Sequence, residues 1–244
     1  MTSRFVGFAI AGLIVIVAPA AGAQATVAAP AATPAPTGQV PSAEPPPSAT
    51  PIVTTPPAAS PTRYDGLLER VKAGDTGADL GELREAFTET PAYRAMMMAS
   101  YQPLWTPLNR GDFATALQTA EKVLGTNFVE INAHMVASVA HQQLGNPERA
   151  QFHRDIANGL LRVVMSKGDG ATADTPWVVI DISEEYAIMR ALGLSMQSQG
   201  LIQQGGANLD RLETIDPRTK TPRILFFNVD RSMAAMSGRR AGSK

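Results

Sequence analysis

Apolar residues in the first half of the foldable region recur with the spacing of an α-helix. One set falls at i, i+3, i+4 and i+7, on one face of a helix: Tyr64, Leu67, Leu68 and Val71. A second helix is predicted after Asp79, because Glu82 follows three residues later in a capping pattern. Thr90 followed by Pro91 predicts the start of a third helix, since proline suits the first helical position.

The pattern changes near Trp177, where continuous apolar runs replace helical spacing. Four strands are predicted: Trp177–Ile182, Leu194–Ile202, Asn208–Ile215 and Ile224–Val229. Ser183 is expected to cap a helix between the first two strands, and Gly205-Gly206 is expected to form a hairpin turn. Short connections favour antiparallel pairing, so the predicted fold is α+β, with N-terminal helical hairpins packed on a small antiparallel sheet plus one helix.

A 34-residue period relates two segments of the helical part. Gly111 and Gly145 are separated by 34 residues, as are Ala116 and Ala150. This is the period of the tetratricopeptide repeat, a helix-turn-helix unit. Asp112 and Asn146, each directly after its glycine, are expected to cap the second helix of each unit.

The two units depart from the repeat pattern at several positions. His134 and His141 occupy the places where the repeat usually carries Trp and Tyr, and Ala120 and Arg154 replace its Phe. Pro103 and Pro107 interrupt the first leading helix, among other departures. The sequence therefore predicts tetratricopeptide-like hairpins, which need flanking helices to cover their ends.

The N-terminus has the pattern of a secretory signal peptide. Arg4 precedes an apolar run of about 14 residues, shorter than the ~20 that a membrane-spanning helix needs. Cleavage is predicted after Ala23, with Ala25 as the alternative. The sequence therefore predicts a periplasmic or secreted protein with no transmembrane segment after cleavage.

Residues 24–62 are predicted to be a disordered linker. The segment contains 11 Pro, 10 Ala, 7 Thr and 3 Ser among 39 residues, and Glu44 is its only charge. Such a chain buries too little apolar surface to offset its ordering entropy. A folded domain is predicted over residues 63–232, followed by a disordered tail at 233–244.

Composition excludes several functions. The chain has no Cys, so disulfides, thiolate metal sites and cysteine nucleophiles are ruled out. Its net charge of -1 gives no electrostatic basis for nucleic-acid binding. No phosphate loop, dinucleotide fingerprint, zinc-protease motif or serine elbow is present, so no cofactor is predicted.

A scattered polar set supplies the candidate catalytic residues: His134, His153, Asp169, Glu184 and Glu185. Glu130 lies one helical turn before His134, and His141 shares that helix. Two His and a carboxylate suit a zinc-like ion, which makes His134, His153 and Glu184 the metal candidates. Each also has a structural interpretation, because the histidines occupy packing positions and acids are favoured in a helix's first turn.

The C-terminal block resembles a bacterial domain-of-unknown-function family, four-nine-one-nine. The resemblance covers roughly residues 64–231 and rests on these blocks: GLLERVKAGDTGADLGELREAF at 66–87, Ala133-His134, FHRDIANGLL at 152–161, the loop 168–170, VVIDISEEYAIMRALG at 178–193 and FFNVDR at 226–231. It implies a signal-bearing bacterial protein with a tetratricopeptide-like helical part, and it implies no known activity.

Two functions follow from these patterns. A signal, a linker and stacked helical hairpins are typical of an envelope module that binds another protein or peptide, because repeat stacks form concave surfaces. The alternative is a metal-binding or hydrolase-like enzyme built on the polar set. Convergence of those side chains in an open cleft distinguishes the enzyme from the interaction module.

Overall fold

The computed structural model describes residues 62–75, 77–97 and 104–237. The predicted signal peptide, nearly all of the predicted linker and residues 238–244 lie outside the described residues. The helices in this part are α1 (Arg63–Lys72), α2 (Leu80–Phe87), α3 (Pro91–Met97), α4 (Trp105–Asn109), α5 (Phe113–Leu124), α6 (Ile131–Gln143), α7 (Pro147–Met165), α8 (Ile182–Ala191) and α9 (Asp230–Met236). The strands are β1 (Trp177–Val178), β2 (Ser195–Gln204), β3 (Ala207–Ile215) and β4 (Pro222–Asn228).

Local capping sets the starts of the first three helices. Thr62 and Asp65 form a reciprocal capping box at the start of α1. The Asp79 carboxylate accepts from the backbone N–H groups of residues 81 and 82 at the start of α2, as predicted. Thr90 Oγ1 accepts from the Tyr93 N–H at 3.2 Å, which confirms the predicted start of α3 at Pro91.

Helices α4 to α7 repeat one local geometry at the two related glycines. Gly111 and Gly145 have φ of 75° and 81°, the left-handed conformation that glycine adopts at little cost after a helix. The paired residues Ala116 and Ala150 are both fully buried. Asp112 caps α5 as predicted, whereas Asn146 makes no side-chain capping bond at α7. The tetratricopeptide assignment itself stays a prediction.

Helix α6 lies in the centre of the helical layer. It packs against α5 on one side and α7 on the other, and it also contacts α8. Nine of its 13 residues are buried. Because these residues face several directions, α6 is a core helix.

The sheet is mixed, with strand order β1-β4-β3-β2. Strands β2, β3 and β4 pair antiparallel as predicted, but β1 pairs parallel with β4. The prediction of a wholly antiparallel sheet was therefore wrong for its first strand. Short hairpin loops dictate antiparallel pairing only between the strands they join, and β1 connects to the sheet through α8.

The predicted strand at 177–182 is shortened because α8 begins at Ile182. Asp181, and not Ser183, is the N-cap of α8, since its carboxylate accepts from the Ser183 N–H at 2.9 Å. The chain also continues as a helix, α9, through Met236. The folded part therefore extends past the predicted boundary at residue 232, because residues 233–236 belong to a packed helix rather than to a disordered tail.

The helices and the sheet share one hydrophobic core. Buried residues of β3 and β4, among them Leu212, Leu225 and Phe227, belong to the same cluster as buried residues of α2 and α6. The sheet therefore packs against the helices around this common core. This arrangement brings the N-terminal turn of α8 beside α2 and α6, where most of the candidate polar residues lie.

Candidate functional site

His134 and His153 face each other across the α6–α7 hairpin. Their Nδ1 atoms are 2.9 Å apart, and His134 Nε2 is 2.8 Å from the Phe128 carbonyl oxygen. A carbonyl only accepts, so His134 carries its proton on Nε2 and its Nδ1 must accept from His153 Nδ1–H. One hydrogen-bond chain therefore fixes both tautomers.

His141 completes a buried group of three histidines. Its ring stacks on His153 with centroids 5.4 Å apart and planes inclined by 18°. Ser138, one turn before His141, donates to the Ala150 carbonyl at 2.8 Å. Both nitrogens of His141 and the Nε2 of His153 are buried without a hydrogen-bond partner among the described residues.

The three histidines are held neutral. Burial lowers the pKa of His134 to about 4 and that of His153 to about 3, and it also lowers the pKa of His141. The positive charge of Arg149 contributes in the same direction at all three. All three rings are therefore neutral at pH 7 and pack against one another inside the helical layer.

Glu184 forms a buried ion pair, away from the histidines. Arg84 Nε lies 2.7 Å from Glu184 Oε1, and Arg84 Nη2 lies 2.6 Å from Oε2, with both side chains about 4% exposed. Glu184 Oε2 also accepts from the Ile180 N–H at 2.9 Å, and Arg84 also donates to the Val178 carbonyl at 3.0 Å. These bonds join α2 to α8 and leave Glu184 committed to a structural role.

Glu185 is fully buried at the junction between α8 and the sheet. No donor group of the described residues reaches either of its oxygens. Burial, followed by the charge of the neighbouring Asp210, raises the pKa of Glu185 to about 9. Glu185 is therefore protonated at neutral pH and is buried in its neutral form.

A third buried carboxyl, Glu130, links α6 to α8. As the N-cap of α6 it accepts from the Asn132 N–H and from Asn132 Nδ2, at 3.1 and 3.0 Å. Its other oxygen accepts from Ser183 Oγ at 2.8 Å. Burial and the neighbouring charge of Asp181 raise the pKa of Glu130 to about 7.

Glu130 lies beside the acidic residues at the start of α8. From the sequence, it was a candidate only as a neighbour of His134. The available signal was its position directly before a helix, which is where a capping acid is expected. Asp181 carried the same signal before α8. Burial, which decides the pKa of both groups, has no equivalent signal in the local sequence.

Asp169 lies in an exposed turn. Its Oδ1 accepts from Thr175 Oγ1 at 2.6 Å and from the Ala171 N–H at 3.0 Å. These two hydrogen bonds lower the pKa of its carboxyl below the usual range. Asp169 therefore orders the loop between α7 and β1, which is the structural interpretation of the Gly168-Asp169-Gly170 sequence.

The structure brings together His134 and His153 but separates both from Asp169, Glu184 and Glu185. Within residues 62–75, 77–97 and 104–237, no group of three or more His, Asp or Glu side chains is arranged to hold a metal ion. The metal candidates His134, His153 and Glu184 do not form one site, because Glu184 is turned toward Arg84 on α2. The two carboxyls of α8 likewise have different partners.

A cleft of about 400 Å³ opens beside Arg84. Its lining comes from α2, the end of α7, β1 and α9, and includes Glu85, Lys167 and Arg231. Arg84 is committed to Glu184, and Glu85 pairs with Arg231. These ion pairs at the cleft therefore connect secondary-structure elements. They are not arranged as a general acid and a general base that could act on a bound substrate.

Strand β2 presents the most open surface of the domain. It is the last strand in the sheet order, and nine of its ten residues are exposed while the tenth is half-buried. Its sequence, SMQSQGLIQQ, contains no charge and no proline. Pairing with β3 is regular from Ser198 to Gln204, after a register shift between Met196 and Ser198.

Two apolar side chains of β2 are exposed on the side that faces the helices. Met196 pairs with Thr214, and Leu201 pairs with Asp210, whose side chains are buried on that side. Yet Met196 is 40% exposed and Leu201 is 55% exposed. Among the described residues, the helices therefore cover the inner face of β3 and leave the side chains of Met196 and Leu201 largely exposed.

Helices and one mixed sheet around a common core define the class of this protein as an α+β domain. The family model described as Domain of unknown function (DUF4919) matches residues 56–237, and the chain belongs to that family. The resemblance drawn from the sequence blocks is thereby confirmed. No curated protein and no solved structure matches the chain. No helix in the described part is both long enough and apolar enough to span a bilayer.

Proposed function

We propose that this chain is an exported bacterial envelope protein whose domain binds another protein through the free edge of strand β2. The observation that carries the proposal is the long, exposed and uncharged edge of the sheet. A strand at a sheet edge presents unpaired N–H and C=O groups, which are a template for adding a strand from another chain.

The composition of β2 supports an interaction role. Sheet edges are normally protected by charges, by proline, by a very short strand or by a β-bulge, and the register shift of β2 lies at its start, before Ser198. From Ala191 to Leu209 the chain has no charged residue, so β2 lacks the first device, and it also lacks the second. Its ten-residue length excludes the third. An edge left open in this way favours strand addition.

The helical layer takes the role of a rigid support in this proposal. The tetratricopeptide-like hairpins bury α6 on several sides, so a concave groove on them is a weaker candidate than the sheet edge. The alternative of a metal-binding or hydrolase-like enzyme receives no support from the side-chain positions. His134 and His153 are neutral and inaccessible, while Glu184 is neutralised by Arg84.

Export to the periplasm or the medium is part of the same proposal. It rests on the apolar run after Arg4 and the small residues before Gln24. The mass of the protein recovered from the periplasmic fraction tests it. A mature N-terminus at Gln24, or at Thr26 for the alternative cleavage, is expected, and retention of Met1 on a cytoplasmic protein would contradict export.

The interaction itself is tested by site-specific photo-crosslinking in the cells that make the protein. A photoreactive residue at Gln203 of β2 is expected to give a discrete adduct with another polypeptide chain. The matched control places the same residue at Leu144, which is exposed on the helical layer at the end of α6. Adducts at Leu144 but not at Gln203 would reject the sheet edge as the binding surface.

A further inference from the structure

The two edges of the sheet differ sharply. One edge is β1, which has only two residues, Trp177 and Val178, and therefore offers almost no backbone for pairing. The other edge is β2, with a regular run of seven residues from Ser198 to Gln204. One edge of this sheet is thus protected by its length, and the other is not.

We infer that the strand added to β2 is the β2 strand of a second copy of this chain, in antiparallel pairing about a two-fold axis. This inference rests on the proposed function, because it names the occupant of the same edge. Antiparallel pairing of two copies would join two four-stranded sheets into one of eight strands. The outermost strand on each side would then be the two-residue β1, and the seven regular residues of β2 would be paired on both sides.

The side chains of the regular run are complementary to their own copies. Full overlap of the seven residues places Leu201 opposite the Leu201 of the other copy, because it is the middle residue of Ser198–Gln204. The exposed leucine then gains an apolar cross-strand partner. Gln199 is placed opposite Gln203, and an amide side chain both donates and accepts hydrogen bonds.

The absence of charge on β2 also favours a second copy over an unrelated partner. Two-fold pairing brings equivalent regions together, so a charged strand would meet its own charge, which is destabilising. An uncharged strand avoids that repulsion. It also provides no electrostatic attraction for a charged peptide, which would otherwise be the usual source of specificity at a polar surface.

A strand-to-strand contact of seven residues is a small interface. Stable complexes bury about 1,600 Å² in total, whereas smaller interfaces are weak and transient. We therefore expect a concentration-dependent equilibrium between monomer and dimer. Sedimentation velocity of the protein purified from the periplasm of cells expressing the full sequence measures this equilibrium over about 1 to 200 μM, a range chosen for weak interfaces.

Charge substitutions at the centre of the strand test the pairing. Leu201→Lys and Leu201→Glu each place like charges opposite each other, and each is expected to raise the dimer dissociation constant by about tenfold or more. A mixture of the two variants pairs Lys with Glu and is expected to restore dimers. Because the rescue requires folded protein, it separates a lost contact from a failure to fold.

Ile224→Lys is the matched control. Ile224 is 42% exposed on β4, where it pairs with Glu213 of β3 and lies away from the β2 edge. The same apolar-to-Lys change there leaves the β2 edge intact, so dimerisation is expected to equal that of the unmodified protein.

The lack of cysteine in the chain allows a second, independent measurement of the register. A single Leu201→Cys substitution is expected to form an intermolecular disulfide, whereas Ser198→Cys alone is not, because its expected neighbour is Gln204. Equal crosslinking at both positions would indicate parallel pairing and would overturn the inference.

A protein that stays monomeric over the whole range, or dimers unaffected by both Leu201 variants, would also overturn it. In that case, photo-adducts at Gln203 with a different polypeptide would leave the proposed function standing. If the Gln203 probe gave no adduct with any chain, both the occupant and the binding edge would be rejected.

Discussion

Arg84 on α2 and Glu184 on α8 form a two-pronged ion pair 100 positions apart in the chain, with N–O distances of 2.7 and 2.6 Å. Both side chains are about 4% exposed, so neither charge is stabilised by water. Their mutual attraction offsets the desolvation that each suffers. The pair fixes the position of α2 against the start of α8, and removing either partner leaves the other charge buried.

We predict that Arg84→Met lowers the free energy of unfolding by about 3–5 kcal/mol, because Glu184 is left without its cation. Urea denaturation measures the change. The double variant Arg84→Met/Glu184→Leu is expected to lose less than the sum of the two single changes, since neither charge remains.

Arg63→Met is the control for that measurement. Arg63 pairs with Glu82 at 2.8 Å, but both side chains are well exposed, and solvent screens the interaction. Little measurable change is expected. Equal losses for the buried and the exposed pair would show that burial does not set the strength of the Arg84–Glu184 contact.

Glu185 makes stability fall at alkaline pH. Its pKa rises from 4.5 in the unfolded chain to about 9 in the folded protein, so the folded state binds the extra proton between these values. Its contribution is fully present below pH 4.5 and is lost as pH rises through about 9, with a limiting slope of about 1.4 kcal/mol per pH unit.

Glu185→Gln keeps the size and the neutral charge of the protonated side chain and removes its titration. The free energy of unfolding of this variant is expected to change less between pH 6 and pH 9.5 than that of the unmodified protein. Glu148→Gln, at an exposed position of α7, is the control and should leave the alkaline loss unchanged. If the free energy of unfolding of Glu185→Gln fell with pH as steeply as that of the unmodified protein, another group would dominate the alkaline loss.

The buried histidines make stability fall at acidic pH. Because burial lowers the pKa of His134 from 6.5 to about 4 and that of His153 to about 3, the unfolded chain binds more protons between these values. The contribution of each is present above pH 6.5 and is lost as pH falls toward 3 to 4. Thermal denaturation at pH 7.5 and pH 5 measures this loss.

Two histidine substitutions are expected to differ at neutral pH. His153→Phe removes the donor to His134 Nδ1 and leaves a buried acceptor unpaired, at a cost of about 1–3 kcal/mol. His141→Phe keeps the stacked ring and breaks no hydrogen bond, since neither nitrogen of His141 has a partner in the described structure. It should therefore be tolerated at pH 7.5 and lose less at pH 5. A large loss for His141→Phe at pH 7.5 would contradict the assignment of a packing role.

Gly170 is held against the ring of Trp177. Its φ is 63°, and an added Cβ would lie 2.4 Å from the ring carbon Cε3. Gly170→Ala therefore combines backbone strain with a steric clash, and we expect a loss of about 2–4 kcal/mol and a change in tryptophan fluorescence.

Gly145→Ala separates the backbone strain from the steric clash. Gly145 also has a positive φ, of 81°, but an added Cβ would contact nothing within 4 Å. Only the conformational cost of about 1 kcal/mol is expected. If both variants lost the same amount, the contact with Trp177 would contribute nothing.

Much of the local structure could be predicted from the sequence. The start of α2 follows from Asp79 and Glu82, and the turn into α7 follows from Gly145 and Pro147, because capping and turn chemistry depend on residues within four positions. His134 and His153 could be named as candidates from the sequence, but their approach to an Nδ1–Nδ1 distance of 2.9 Å was left open until the structure. The candidate site was less predictable, since the partner of Glu184 is 100 positions away.

The sequence by itself determined where α2, α3 and α5 begin, that strands form after Trp177, that cysteine chemistry is excluded, and which family the chain belongs to. These properties depend on residue types and short-range spacing. Only the tertiary structure decided that β1 pairs parallel with β4, that Glu184 is neutralised by Arg84 while Glu185 is protonated beside Asp210, and that β2 is exposed within the described part of the chain. The physical reason is that burial and partner choice are set by contacts between elements far apart in the chain. Glu184 and Glu185 are neighbours in the sequence, and nothing in the residues around them distinguishes the environments that the two carboxyls enter.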